Sequence, residues 1–473
     1  MSDLEKKCML TYQFNKSDIP LYEQVYECIK ADIISGALTP GDKLPSKRTF
    51  AHNNGISTIT IQNAYDQLIS EGYIYTIPKK GYYVSEIEEI AKVPKKIRID
   101  LDITLPKAPD KFKFDLSSNK VNPDNFPFTV WARLSRETLS DKCRELMEVS
   151  PANGIFELRE AIAEHLKSFR GMLVDPNQII IGAGTEYLYE LIVKLLGNDK
   201  NYCIENPGYK KLVKIYGQYD ITCEYANMDE YGITTEELRR AKAQVAHICP
   251  NHHFPTGITM PANRRYEVLA WANEKKDRYI IEDDYDSEFR TNGRPIPTLF
   301  SIDACEKVIY MNTFSKSLTP TIRISYMILP VHLANKFYKE LYFYSCTVSN
   351  FEQYTLAAFI KKGYFEKHIN RMRLYYSRQR RVLMELLEKS RLSRICSVHD
   401  SESGLHFIIK LDTKYDESDI RKKLEDKDIR LQSVSDYLMI PDESKNHLYI
   451  INYSNLDMEN IGQIFDEIYD IAG

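Results

Sequence analysis

Two apolar runs in the second half of the chain end in reactive side chains, and they limit the fold more than any other feature. Tyr279-Ile280-Ile281 runs into Glu282-Asp283-Asp284-Tyr285-Asp286. Val308-Ile309-Tyr310-Met311 feeds small polar residues, then Lys316, then Arg323. Short apolar runs of this kind read as strands buried on both faces. Between 179 and 330 such strands alternate with helical patterns, which predicts a mostly parallel sheet covered by helices. An isolated Ser-Lys-Ser reads as a solvated loop. Here the lysine shares a fold with the acidic strand end and with Pro255-Thr256-Gly257 upstream, and the set is more specific than any one piece.

The first 85 residues follow another rhythm. Apolar residues at 21, 25, 29 and 33 have helical spacing, with Pro20 suited to a first turn and Ser35-Gly36 to a stop. Ser46 is placed to cap a short second helix and Ser57 a third, Thr58 to Ser70, with Ile61, Ala64, Tyr65 and Leu68 on one face. Tyr73–Ile77, a Pro78-Lys79-Lys80-Gly81 turn and Tyr82–Val84 read as a β-hairpin. The net charge is −4, so any attraction to nucleic acid must be local. The candidates are Lys43, Lys47 and Arg48 before and in the second helix, and Lys79 and Lys80 at the hairpin tip, with Asp42 as the acidic exception.

Residues 86–112 carry Pro94, Pro106 and Pro109 with alternating charges and no sustained period, and read as an extended tether in which Ile97-Arg98-Ile99-Asp100-Leu101 could pack on a surface. Beyond it, Ile179-Ile180-Ile181 runs into Gly182-Ala183-Gly184-Thr185-Glu186 and a helix through Leu196. A glycine-rich turn at a helix N-terminus offers backbone N–H groups to phosphate. Asn206-Pro207-Gly208-Tyr209 follows the strand Tyr202–Ile204, and His252 and His253 precede Phe254-Pro255-Thr256-Gly257. Lys336 to Arg391 looks helical, with Arg371, Arg373, Arg378, Arg380 and Arg381 on a solvated face. Leu405–Ile409, Arg430-Leu431 and Leu448–Tyr453 read as strands of a small C-terminal α+β lobe.

The nine cysteines are scattered, odd in number and without a Cys-x-x-Cys pair, as in the reduced thiols of a cytoplasmic protein. No run of about 18 apolar residues suggests a membrane span. Nothing in the histidine and cysteine spacing supports a metal site.

The lysine, the acidic strand end and the Pro-Thr-Gly loop together resemble the fold-type I pyridoxal-phosphate aminotransferases. The resemblance implies pyridoxal 5′-phosphate as cofactor. Lys316 would form the Schiff base and be the catalytic residue. Asp283 would keep the pyridine nitrogen protonated, Tyr285 would bond the ring O3′, and Tyr209 would stack on the ring. Gly184, Thr185, Glu186, Ser315 and Arg323 would hold the phosphate. The first 85 residues resemble the GntR-type winged helix: Leu44-Pro45-Ser46-x-Arg48, then Ile56-Ser57-x-x-Thr60-Ile61-x-x-Ala64-Tyr65-x-x-Leu68, then Gly72-Tyr73 and Gly81. In such folds the third helix enters the major groove and the wing flanks it. Double-stranded operator DNA would then meet Lys43, Ser46, Lys47, Arg48, Ser57, Lys79, Lys80 and Gly81, with Thr58, Thr60 and Gln62 at base edges. Many members of that family carry arginine where this chain has Thr58.

The whole resembles the MocR-type architecture. It implies a multi-domain protein: a winged helix-turn-helix (α+β) over 1–85, a linker over 86–112, and an α/β fold-type I aminotransferase-like domain over 113–473 with its small α+β lobe. The expected function is transcription regulation in the cytoplasm, by a homodimer whose aminotransferase-like domain senses pyridoxal 5′-phosphate or an amino-acid or other amine effector. The alternatives are an active aminotransferase with an accessory DNA-binding domain, and a scaffold without cofactor. Amino-acid aminotransferases commonly clamp the substrate carboxylate with an arginine near the last strand. His447-Leu448-Tyr449-Ile450-Ile451-Asn452-Tyr453 has none, and Arg430 is the nearest.

Overall fold

The computed structural model describes residues 10–14, 19–86, 103–106, 110–118, 121–290, 296–399 and 404–473. The chain divides into two compact units, Met1–Ala108 and Pro109–Gly473. Most of the expected tether, including Ile97–Leu101, lies outside the described residues.

In the first unit α1 (Leu21–Ser35) buries Val25, Tyr26, Ile29 and Ile33. Its end is set by Gly36, whose φ of 78° is a left-handed conformation that glycine adopts freely. α2 (Lys47–Asn54) and α3 (Thr58–Ser70) begin as their caps predict: Ser46 Oγ accepts from Thr49 N at 3.2 Å and Ser57 Oγ from Thr60 N at 3.1 Å. Ile61, Ala64, Tyr65 and Leu68 of α3 pack into the core with Val25, Ile29 and Phe50. The hairpin is β2 (Ile74–Ile77) against β3 (Gly81–Val84). A strand that the sequence did not announce, β1 (Lys43–Leu44), joins it with Lys43 opposite Tyr83. At two residues it is too short to carry a period.

The second unit centres on an eight-stranded sheet. Its strands are β5 (Ile179–Gly182), β6 (Tyr202–Asn206), β7 (Glu224–Asp229), β8 (Gly232–Ile233), β9 (Val245–Ile248), β10 (Tyr279–Asp283), β11 (Val308–Thr313) and β12 (Ser325–Ile328). The order is β5-β12-β11-β10-β9-β6-β7-β8. The run from β11 to β7 is parallel, and the flanking pairs are antiparallel. Both faces are covered, as the apolar runs require: Ile280 belongs to one core cluster and Ile281 to another. The C-terminal lobe is a three-stranded antiparallel sheet, β13 (Cys396–His399), β14 (His406–Leu411) and β16 (Leu448–Asn452), packed by the helix Ile461–Ala472. β4 (Phe114–Asp115) pairs with β15 (Ile429–Arg430).

The stretch expected as helical from 336 to 391 is broken into Val331–Glu340, Asn350–Lys361 and Tyr364–Lys389. Of its arginines, Arg371 stays exposed while Arg373 turns partly inward. Arg371 donates to Asn125 O and Arg373 to Glu288 O, both at 2.6 Å. Among the described residues no helix is long and apolar enough to cross a membrane, and all eight cysteines are free.

Candidate functional site: a lysine pocket and a winged-helix face

A cavity of about 460 Å³ opens where β10 and β11 end. It brings together Lys316, Asp283, Tyr285, Tyr209, Thr185, Glu186, Ser315 and Arg323 from segments far apart in sequence. Gly184 lies beside it as the N-cap of the helix Thr185–Leu196.

Lys316 sits in a single helical turn, Phe314–Ser317, started by Thr313, whose hydroxyl accepts from Ser315 N at 3.1 Å. Burial pushes its ammonium down to about 8, and the negative charge of Asp286 only partly opposes this. At pH 7 the cavity therefore holds about a tenth of the amine in the neutral form, against well under a hundredth for a surface lysine. Asp283 is 8 % exposed. Its Oδ2 accepts from Tyr189 Oη at 2.8 Å and lies 3.5 Å from His247 Nε2, while Oδ1 is buried with no hydrogen-bond partner. A buried acceptor of this kind fits a charged ring N–H. Tyr285 Oη is 3.3 Å from His252 Nδ1, which is itself 2.8 Å from Asp286 Oδ2. Tyr209, half exposed, caps the helix Lys210–Gly217 at the cavity wall.

At the glycine turn Gly184 has φ 90°, and a Cβ there would come 2.4 Å from Arg323 Nη2. The cradle is thus shaped around that guanidinium. Arg323 is 3.0 Å from Glu186 Oε2, and Lys211 also contacts Glu186. Glu186 accordingly holds two cations at the helix start, beside Thr185. That arrangement suits a phosphate met by Arg323, Ser315 and backbone N–H groups, with the carboxylate as their counter-charge.

Several pocket residues escaped the sequence reading. Tyr189 and His247 grip Asp283. Glu205 is a charged residue inside the buried strand β6, and that oddity was its signal. Burial pushes its carboxyl up to about 8 and the His253 imidazole down to about 3. The two lie 3.5 Å apart, and burial disfavours the charged form of each. Arg430 is not among the residues that line the cavity and lies 3.7 Å from Asp115. Among the described residues no cluster of His, Cys, Asp and Glu could hold a metal ion.

On the winged helix, Arg48, Thr58, Lys79 and Lys80 are exposed and Thr60 is half-buried. Ser46 and Ser57 spend their hydroxyls on their own helices. Lys47 contacts Gln62 and lies over the Tyr82 ring, so the structure ties α2, α3 and the wing together. Gly81 opens β3 beside Lys43, whose Cε a Cβ at that glycine would meet at 3.4 Å. Asp42 accepts from Thr39 N at 2.6 Å.

These two units define a class: a winged-helix DNA reader carried on a fold-type I aminotransferase body. The model of aminotransferase class I and II matches residues 111–468, and that of the bacterial regulatory proteins of the gntR family matches 21–84. The HTH-type transcriptional regulator YdeL of Bacillus subtilis is 35% identical over 88% of this chain and 90% of its own length. The pyridoxine biosynthesis regulator PdxR of Corynebacterium glutamicum is 30% identical, covering 83% and 84%. The probable rhizopine catabolism regulatory protein MocR of Rhizobium meliloti is 28% identical, covering 83% and 82%. An archaeal alanine:glyoxylate aminotransferase shares the fold of the body, with a TM-score of 0.67, 24% identity, and coverage of 77% of this chain and 91% of that one. The chain belongs to the MocR-type HTH regulators of the GntR family, DNA-binding proteins with an aminotransferase class I and II domain. That domain is generally a pyridoxal-phosphate fold.

Modification of Lys316 by a small carbonyl reagent, followed by peptide mapping, should rise with a midpoint near pH 8. Asp286→Asn removes the charge that favours the ammonium, so the midpoint should move lower. A midpoint near that of surface lysines, about 10.4, would contradict the burial.

Proposed function

We propose that the protein regulates transcription in the cytoplasm as a homodimer that takes pyridoxal 5′-phosphate at Lys316 and alters its grip on operator DNA accordingly. The observation that carries the cofactor reading is the pairing, in one cavity, of a desolvated lysine amine with a buried carboxylate whose Oδ1 lacks a partner. When bound, the cofactor supplies an aldehyde carbon and an electron-withdrawing ring. Lys316 presents to the aldehyde an amine that burial makes easier to deprotonate. Asp283, oriented by Tyr189 and His247, accepts the ring N–H. Tyr209 offers a flat face, and Tyr285 offers a hydroxyl to the ring oxygen. Arg323, Ser315, Gly184 and Thr185 meet the phosphate, and Glu186 holds Arg323 in place.

DNA binding rests on the winged helix, with Arg48, Lys43, Lys79, Lys80 and Lys47 for phosphates and Thr58, Thr60 and Gln62 near base edges. Ser46, Ser57 and Gly81 act by shaping the backbone that the phosphates meet. Dimerisation is supported by an apolar surface on the body. Met147 is 73 % exposed, Val149 79 % and Phe343 77 %. The segments that carry them are joined, since Asn350 Nδ2 donates to the carbonyls of Glu145 and Glu148. The same surface reaches the glycine turn, where Thr347 Oγ1 accepts from Ala183 N at 2.9 Å.

The deciding experiment measures operator affinity with and without pyridoxal 5′-phosphate. The wild type should gain a visible absorbance band with cofactor and change operator affinity by a factor of about 5–150. Lys316→Ala should still bind operator but show neither band nor response. A borohydride-stable adduct of unchanged yield in Lys316→Ala would overturn the assignment. Steady turnover of an amino donor and a keto acceptor, with no effect on DNA, would favour an enzyme.

Arg48→Ala should weaken binding at every sequence and reduce the slope of log affinity against log salt by roughly one. An unchanged slope would remove Arg48 from the phosphate contacts.

The wild type should sediment as a dimer at micromolar concentration, and Val149→Asp with Phe343→Asp should yield monomers. A monomeric wild type with cofactor bound would contradict this part of the reading.

A further inference from the structure

Ile59 occupies the second position of α3 and is 74 % exposed, more than any other large apolar side chain described on the winged helix. Single exposed apolar residues are ordinary, so position and surroundings must carry the argument. The fold gains nothing from this one. Ile61, Ala64, Tyr65 and Leu68 form the buried face of α3 and Ile59 is not among them. A β-branched residue is also a poorer helix former than alanine. It stands in the first turn, between Thr58 and Thr60, on the helix that such readers place in the major groove.

The polar candidate on the same helix is engaged within the protein. Gln62 Nε2 donates to both oxygens of Asp66, at 2.8 and 2.6 Å, and its Oε1 takes the Lys47 ammonium. Bidentate recognition of adenine needs both ends of that amide, and here both ends are occupied. Thr58 offers only a short hydroxyl and a methyl. The leading turn of α3 therefore presents apolar carbon to the groove.

Of the groups that line a major groove, one is apolar: the 5-methyl of thymine. Building on the DNA-binding function, we infer that Ile59 is a specificity-determining residue that reads a thymine methyl in each half-site. A methyl buried against Ile59 distinguishes thymine from uracil and from cytosine by apolar contact alone, whereas Arg48 and the wing lysines act on every sequence alike.

The test uses the full-length protein and a duplex selected by it from a randomised pool. Each thymine of that duplex is then replaced singly by deoxyuridine, which removes the methyl and keeps the base pair. At one thymine per half-site the replacement should cost the wild type about fourfold in affinity, the worth of one buried methyl-sized group. Ile59→Ala should lose that discrimination while keeping its salt dependence, and its exposure means that the helix should fold as before. Thr58→Ser, which removes the neighbouring methyl, should leave the discrimination intact. The inference is overturned if the wild type tolerates uracil at every position, if the penalty persists in Ile59→Ala, or if Thr58→Ser abolishes it instead. Selection that enriches no duplex would sink the DNA-binding reading itself, a different result from a bound duplex indifferent to its methyl groups.

Discussion

The site depends on taking charges out of water where β10 and β11 end. Glu282, Asp283 and Asp284 are consecutive, and side chains alternate across a strand. Neighbours in sequence therefore meet different surroundings. Glu282 accepts from the backbone N–H groups of Leu299 and Phe300 at 3.0 and 2.9 Å, with Arg265 3.9 Å away. Asp284 takes Arg170 at 2.6 Å and Tyr310 at 2.7 Å. Asp283, between them, points the other way into the cavity. Burial without full pairing lifts the Glu282 carboxyl to about 7, and with Asp284 nearby it does the same for Glu288. Removing one partner of such a buried pair typically costs about 3–5 kcal/mol, so the two outer acids hold the strand end that presents the middle one.

The same desolvation makes the lysine useful. An ammonium in water is a poor nucleophile because its lone pair carries a proton. Inside the cavity the charged form loses hydration, and only Asp286 compensates. Asp286 is itself shared with His252. The DNA reader works by the opposite logic. Its cations stay at the surface in a chain of net negative charge, where salt screens them and distance limits them. On the proposed reading, attraction to DNA rests on a few exposed side chains, and discrimination falls to groups that need no charge.

How much of this was legible follows from the distance over which each feature is decided. Helix starts at Ser46 and Ser57, the face of α3, and the strands before Asp283 and Lys316 are settled by neighbours a few residues apart, and the sequence carries them. His247 was missed because Asp283 meets it only through the strand order, which places β9 beside β10, and Tyr189 because its helix, Thr185–Leu196, reaches Asp283 only by packing on the sheet. Arg373 read as solvated because its helix is long and basic, yet the carbonyl of Glu288 draws it inward. Arg430 looked like the nearest carboxylate clamp, but pairing of β15 with β4 puts Asp115 beside it. The tying of Gln62 to Asp66 and Lys47 depends on side-chain placement that no period encodes.

The C-terminal lobe reaches the pocket through His252. The rings of His252 and His406 lie 4.6 Å apart, and a Cβ on Gly404 would fall 1.9 Å from His252 Cε1. Tyr453 Oη fixes the Gly404 carbonyl at 2.6 Å. His252 also touches Asp286 and Tyr285, so a displacement of the lobe is felt by the groups around Lys316. Packed contacts of this kind do not deform smoothly; they hold or they re-form elsewhere. A ligand that prefers one arrangement shifts the population by no more than its difference in affinity for the two. If the winged helices also prefer one arrangement when DNA is bound, the two preferences are a single coupling free energy seen from either end. Tight binding of a cofactor is therefore not in itself regulation. What would make this body responsive is that Asp286, Tyr285 and His252, which neighbour Lys316, are also tied to the lobe through His406 and Gly404.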